Sequence, residues 1–498
     1  MGKTISHKKG KRNSSRKIKE LQLNKVLKFK NNKLKEITNK KIKAPILERL
    51  FRESNIKRIK DLPDDLTNMD NYTKLVAKEF KELKSGKKFR PNENYYDYVN
   101  YTWIEKQTEK LEKLPKYYVE VDDFRIVQDK VYDEVLSYTD EYIKKNKSTR
   151  KGKAINAIRH CIEKANKKKG LVHCKRTYDD ITQYIDEGNM YGLLAYSNSS
   201  EVVSWQSPIV WGVMPDEKNV KRYVSHLSPP QLGIYDYFVY IDDPKDTPKE
   251  KKFKTVFREK YFDFINKVFK LVLPDNKELN AQDVWDTELD LLNAMGCNKI
   301  KKEDPDYYNV LSKKEIEEEY GFNWTYFMKE FKVTGRDVPN KIIVSSLNAL
   351  KCTTDLLKKN WSSKKWKAYW LFIQFKQMIR LDYDWSKLYY EFYGKFVKGQ
   401  PVQFPKKTYS IFPLSFAFNT FLTEEYVKHK NNPDLELYVK NMVEDLKYIF
   451  IKKIERNTWL SPSTKKSALE KLKKLEVQIG SPKHIRNDVI LDYIEDDP

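Results

Sequence analysis

Apolar and polar positions near the end of the chain, in WLSPSTKKSALEKLKKLEVQIGSP (459–482), follow a helical period. Ala468, Leu472 and Leu475 fall at i, i+4 and i+7 with Leu469 beside them, and the lysines point the other way. Ser461 is a good N-cap and Pro462 suits the first helical position, where its missing N–H would be unpaired anyway, so a helix is predicted to start there. Val477 and Ile479 then alternate as in a short strand before Gly480-Ser481-Pro482 breaks the run. The same period recurs upstream. VDDFRIVQDKVYDEVL (121–136) sets Phe124, Val127, Val131 and Val135 on one face, and KAINAIRHCIEKA does so with Ile155, Ile158, Cys161 and Ile162. Further helices are predicted over 250–272, 281–295, 313–332, 363–394 and 433–456. From Glu201 the texture changes to strand, with EVVSWQ, SPIVWGVM and YVSHL set around a turn at PDEKN (215–219). The fold class is therefore mainly α, a multi-helix body with a small β-hairpin inserted.

Composition sharpens the domain picture. A chain of 498 residues with 40% hydrophobic and 13% aromatic residues is long enough to bury a large core. The net charge of +25 is unevenly placed: residues 1–60 hold 21 Lys/Arg against 4 Glu, and the remainder holds 75 against 67. Residues 1–60 lack apolar periodicity and read as a disordered basic tail, 61–90 as a linker with a short helix, and 91–498 as the folded region. The opening MGKTIS fits the N-myristoylation pattern with Gly2 as acceptor, and the basic run beside it would supply the second signal for an anionic membrane. The same tail could neutralise nucleic-acid phosphates without reading sequence. Four cysteines in so long a chain do not make a disulfide framework, which suits a reducing compartment. No run approaches a membrane span and no secretory signal is visible. Heavy use of Lys, Asn, Ile and Tyr suggests an AT-rich genome such as that of a large DNA virus. A cytoplasmic or virion-associated protein, with peripheral membrane attachment through the tail, is the expectation.

Catalytic chemistry is hard to find. The residues that follow the six histidines are Lys8, Cys161, Cys174, Leu227, Lys430 and Ile485, and no two histidines are four apart. The His-Cys pairs at 160–161 and 173–174 lack the C-x₂-C or H-x₃-H spacing of a zinc site. There is no G-x-S-x-G, P-loop or G-x-G-x-x-G, and the pairs Asp122-Asp123 and Asp242-Asp243 are of a kind common on solvated surfaces.

Several short motifs nevertheless share one pattern. Trp459, Thr464, Lys465, Ala468, Lys471 and Leu472, followed by Ile479, Gly480 and Pro482, resemble the segment that joins the N-terminal region to the catalytic lobe in the neprilysin and endothelin-converting-enzyme family of zinc metallopeptidases. Tyr96, Tyr98, Asn100 and Trp103 resemble that family's opening signature. Asp216, Lys218 and Asn219, then Leu232 and Gly233, resemble its central turn and strand, and Trp324 and Phe327 its aromatic element. The resemblance spans about residues 92–488. It implies the helical N-terminal region that encloses the substrate in a peptide-cutting enzyme, with the catalytic portion of the same peptidase and a peptide substrate as partners. Relatives hold the far end of the peptide with two arginines, but Glu120 and Gln128 stand at those positions and Arg125 is off register. The family's H-E-x-x-H and E-x-x-x-D zinc motifs are absent, so the resemblance implies zinc only in a catalytic portion and no metal or catalytic residue here. A chain inactive alone is expected, with a non-catalytic peptide- or protein-binding remnant and a nucleic-acid binder as alternatives.

Overall fold

The computed structural model describes residues 89–113, 117, 120, 122–164, 167–296 and 307–481; the basic tail, most of the linker, Gly2 and Pro482 lie outside them. The described chain divides into two compact units. The larger holds 117–422 and the smaller holds 89–113 and 423–481.

The first helix, α1 (Tyr95–Lys113), belongs to the smaller unit. The larger unit begins with α2 (Asp123–Asn146), capped by Asp122, which accepts the Arg125 N–H at 2.7 Å. It continues through α3 (Arg150–Lys164), α4 (Lys167–Asp186) and α5 (Met190–Asn198). Strands β1 (Val210–Asp216) and β2 (Asn219–Ser228) form the expected hairpin. EVVSWQ, read as a strand from its β-branched residues, is instead a turn and a short 3₁₀ helix at Ser204–Gln206.

Next come α6 (Pro248–Val272), with a Thr247/Glu250 capping box, and α7 (Ala281–Met295), capped by Asn280. The hairpin is only half of the sheet. Two three-residue strands, β3 (Asn309–Leu311) and β4 (Ile342–Val344), complete the order β1-β2-β4-β3, with β2 and β4 parallel and the other pairs antiparallel. The predicted helix 313–332 is two, α8 (Lys313–Glu318) and α9 (Trp324–Glu330), because Gly321 between them takes a positive φ of 71°.

Helix α10 (Leu347–Asn360) leads to α11 (Lys364–Met378), where Trp366, Tyr369, Trp370, Phe372 and Phe375 are all fully buried. A helix apolar on every side must lie at the centre. Helices α4, α6 and α7 pack around it, and aromatic residues from Tyr261 to Phe392 fill one continuous core. The predicted span 363–394 ends early: α12 (Tyr383–Tyr389) follows, then a π-helical stretch at Tyr390–Val397. A second cluster joins Ala154 and Ile155 of α3 to Leu414, Phe418 and Phe421.

After the short α13 (Lys406–Tyr409), α14 (Ile411–Lys430) is kinked at Phe418 and crosses the boundary at residues 422–423. The smaller unit is completed by α15 (Pro433–Arg456) and α16 (Pro462–Lys474). Ser461 accepts the Thr464 N–H at 3.2 Å, as its sequence position predicts. No described helix is long and apolar enough to cross a membrane.

Candidate functional site

The densest polar arrangement surrounds the segment that follows β2. Glu288 lies on the apolar stripe of α7 between Val284 and Leu291 and is 0% exposed. Burying a carboxylate is costly unless donors surround it. Glu288 accepts the Gly233 N–H at 2.9 Å, the Tyr240 hydroxyl at 2.7 Å and the Tyr261 hydroxyl at 3.0 Å. The Tyr393 hydroxyl, from the π-helical stretch, donates to the Gly233 carbonyl at 2.7 Å. Tyr240 also accepts the Ile234 N–H at 3.1 Å and stacks on Trp285 with ring centres 4.6 Å apart. Gly233 has no room for a side chain, since a Cβ would stand 1.7 Å from the Tyr261 hydroxyl oxygen and 2.6 Å from Glu288 Oε1.

Burial pushes Glu288 upward, against the pull of the Tyr240 hydroxyl and of Lys376 on α11. Burial also brings the Lys376 ammonium down to about 7. The hydroxyls of Tyr240, Tyr261 and Tyr393 are raised well above 10 for the same reason. A carboxylate enclosed by its own donors cannot act on a ligand, so the arrangement anchors backbone.

A second cluster closes the hairpin. Asp216, buried at the end of β1, accepts the Tyr308 hydroxyl at 2.6 Å, the Lys341 ammonium at 2.5 Å and the Lys218 N–H at 3.0 Å. Lys341 and then Tyr308 hold its carboxyl well below the usual carboxylate range. The Lys218 ammonium sits 4.2 Å above the Tyr308 ring. Beside them on β2, His226 is buried with no partner for Nε2 among the described residues, and burial lowers its basicity. Asn219 stays exposed, its side chain accepting the Lys221 N–H at 3.4 Å.

The other sequence-predicted residues are dispersed. Leu232, Trp324 and Phe327 are buried in the core of the larger unit, with Trp324 Nε1 donating to the Pro339 carbonyl at 2.9 Å. In the smaller unit Tyr96 is 66% exposed. Tyr98 and Trp103 are half-buried, and Asn100 donates to the Tyr96 carbonyl at 3.0 Å. Trp459 is 80% exposed, Thr464 and Lys471 are exposed, Ala468, Leu472 and Ile479 are half-buried, and Lys465 donates to the Glu455 carbonyl at 3.2 Å.

Gly480 has a φ of 78°, and a Cβ there would meet Glu436 Oε1 at 2.2 Å. The Ser481 N–H donates to the same oxygen at 3.4 Å, and Lys447 donates to the Leu475 carbonyl at 3.5 Å. Residues 475–481 thus run back along α15 without the strand partner that their alternation suggests.

At the start of α2 the surroundings of the missing arginines are occupied. The Arg125 guanidinium donates to Gln128 Oε1 at 3.2 Å and lies 3.8 Å from Glu120, and Gln128 donates to the Tyr132 hydroxyl at 2.7 Å. Phe124 and Val127, assigned to a packed stripe, are exposed, the former by 84%. Among the described residues no group of three or more His, Cys, Asp or Glu is placed to hold a metal ion. Burial pushes the Cys161 and Cys174 thiols to about 11 and about 12, so neither is a nucleophile near neutral pH. Cys352 is disulfide-bonded, which the cysteine count alone does not predict.

Comparison with known proteins draws these residues into one frame. Residues 91–482 match the sequence profile of peptidase family M13. The mouse membrane metallo-endopeptidase-like 1 is 21% identical over 298 residues, 55% of this chain and 36% of that protein. Neprilysin-2 of Caenorhabditis elegans is 22% identical over 292 residues, 55% of this chain and 38% of that protein. The chain thus spans little more than a third of the curated relatives it matches. Among solved structures, the Mycobacterium tuberculosis zinc metalloprotease Zmp1 in complex with an inhibitor superposes with a TM-score of 0.65 at 19% identity, covering 82% of this chain and 60% of that one. PepO from Lactobacillus rhamnosis does so with 0.63 at 17% identity, covering 80% and 61%.

Proposed function

Because this chain belongs to peptidase family M13, we propose that it serves as the N-terminal, peptide-enclosing region of a neprilysin-like zinc metalloendopeptidase. Zinc hydrolysis in this class needs two histidines one helical turn apart with a glutamate between them, so that both imidazoles reach one ion and the carboxylate takes a proton from its bound water. None of the six histidines in the sequence is followed by Glu, and the described residues hold no metal-binding group, so these residues do not fit a zinc centre and no catalytic step is assigned to them. On this reading hydrolysis depends on a separate H-E-x-x-H portion, and the chain alone is inactive. The observation that carries it is the match over 91–482 without zinc ligands. Leu446 and Phe450, one helical turn apart on α15 and both more than half exposed, support a polypeptide partner.

The test is direct. The purified chain is dialysed against zinc, its metal content measured, and cleavage of a quenched fluorescent peptide library followed with and without a separately produced family portion carrying H-E-x-x-H. Substoichiometric zinc and no turnover alone, with zinc-dependent cleavage on mixing, is the expected result. Stoichiometric zinc and cleavage by the chain alone would overturn the proposal.

A further inference from the structure

Charge in the folded region is far from evenly spread. Residues 144–176, which run from the last turn of α2 through α3 into α4, carry 13 Lys/Arg and one acidic residue, whereas the other residues from 61 onward carry 62 against 66. Neither α3 nor α4 has an acidic residue in its first turn, so lysines stand where the helix dipole is already positive. That placement costs stability unless an anion offsets it.

Part of the charge is compensated internally. Lys145 pairs with Glu141, Lys175 with Asp179, and Arg159 is buried against Asp140. Lys144, Lys147, Lys153, Lys167, Lys168 and Arg176 are exposed, and none has an ion-pair partner among the described residues. On α4, Lys168 and Arg176 lie on the side away from buried Cys174, Thr177 and Ile181, so they point to solvent.

We propose that this basic segment is a binding surface for the phosphate backbone of double-stranded nucleic acid. The composition selects that partner among polyanions. Residues 144–176 contain no Phe, Trp or Tyr, so the segment has no aromatic platform for unpaired bases, and Val172 is its one exposed large apolar side chain among the described residues, too little for a bilayer anchor. The cations are almost all lysines, compact point charges suited to neutralising phosphates, and the segment has no Asn- or Gln-rich helix face to read base edges. Binding is therefore sequence-blind and salt-sensitive, and it is separate from any contribution of residues 1–60.

The test uses the full chain and a fluorescent 30-base-pair DNA, with anisotropy followed from about 50 to 300 mM salt. One variant replaces the six unpaired cations by Gln. A charge-matched control replaces Lys249, Lys251, Lys252, Lys277, Lys329 and Lys398 by Gln. The first should weaken binding about a hundredfold or more and flatten the log K against log salt slope by about 5, since each phosphate contact contributes about 0.9. The control should change neither by more than a small fraction of that. Thermal melting of both variants separates loss of binding from loss of fold, and a variant restricted to Lys167, Lys168 and Arg176 gives about half the slope change if all six fail to fold. No binding by the full chain, an unaltered slope in the six-cation variant, equal losses in variant and control, or losses seen only on phosphatidylserine vesicles would each overturn the proposal.

Discussion

The two units differ most in what they bury. In the larger, aromatic residues of α6, α7, α11 and the π-helical stretch are packed out of solvent in one core. In the smaller, only Glu425, Asp445 and Ile454 are buried among the described residues, while Leu446, Phe450 and Trp459 face solvent. Secondary structure alone does not distinguish them, since α15 and α16 have caps as good as those of α6 and α7. The difference lies in whether each apolar stripe meets another stripe. The larger unit supplies its own partner surfaces, and the described part of the smaller one leaves Leu446 and Phe450 of α15 exposed.

The sharpest way to break this contrast is at Gly233. Gly233→Ala forces a methyl into the space of the Tyr261 hydroxyl, and we expect a loss of about 4 kcal/mol in denaturant unfolding. A loss below about 1 kcal/mol would show that the clamp is loose. Glu288→Ala leaves three buried donors without an acceptor and should cost about 3 kcal/mol by the same measurement.

A third change depends on pH. His226 is less basic in the folded state than when exposed, so the unfolded chain takes up its proton first; stability is intact near pH 7 and falls as pH drops below about 6.5. Asp216, whose carboxyl is held low, adds a second loss below about 3.8. His226→Phe should flatten the melting-temperature curve between pH 7 and 5 while leaving the lower loss in place. The smallest effect belongs to the other unit. Phe450→Ser should alter the unfolding of the chain alone by less than about 0.5 kcal/mol. A larger cost would mean that the smaller unit has a core of its own.

Much of the architecture was legible because helices announce their ends. Ser461-Pro462 marks a start that the structure keeps, and the helices expected from 250 and 433 begin at Pro248 and Pro433. The sheet was half legible: β3 and β4 are three residues each, too short to show alternation, and β4 is uniformly apolar because it is buried. EVVSWQ failed for the opposite reason, since β-branched residues favour strands only where neighbouring strands give their side chains a surface to pack on. The anchoring site was missed, although a signal existed. Glu288 is an acidic residue on the apolar stripe of α7, and such a position needs donors from elsewhere in the chain. Which donors those are, Tyr240, Tyr261 and the Gly233 amide, depends on contacts that no local pattern encodes.

The parallel pairing of β2 with β4 joins Ser225 to Ile342, positions more than a hundred residues apart. On a ribosome, the hairpin must therefore wait with one edge open until Val344 has emerged. Such distant contacts form slowly, and an open edge meanwhile invites pairing with other chains. The yield of native protein should depend on synthesis temperature and chaperone supply more than on the stability of the finished molecule.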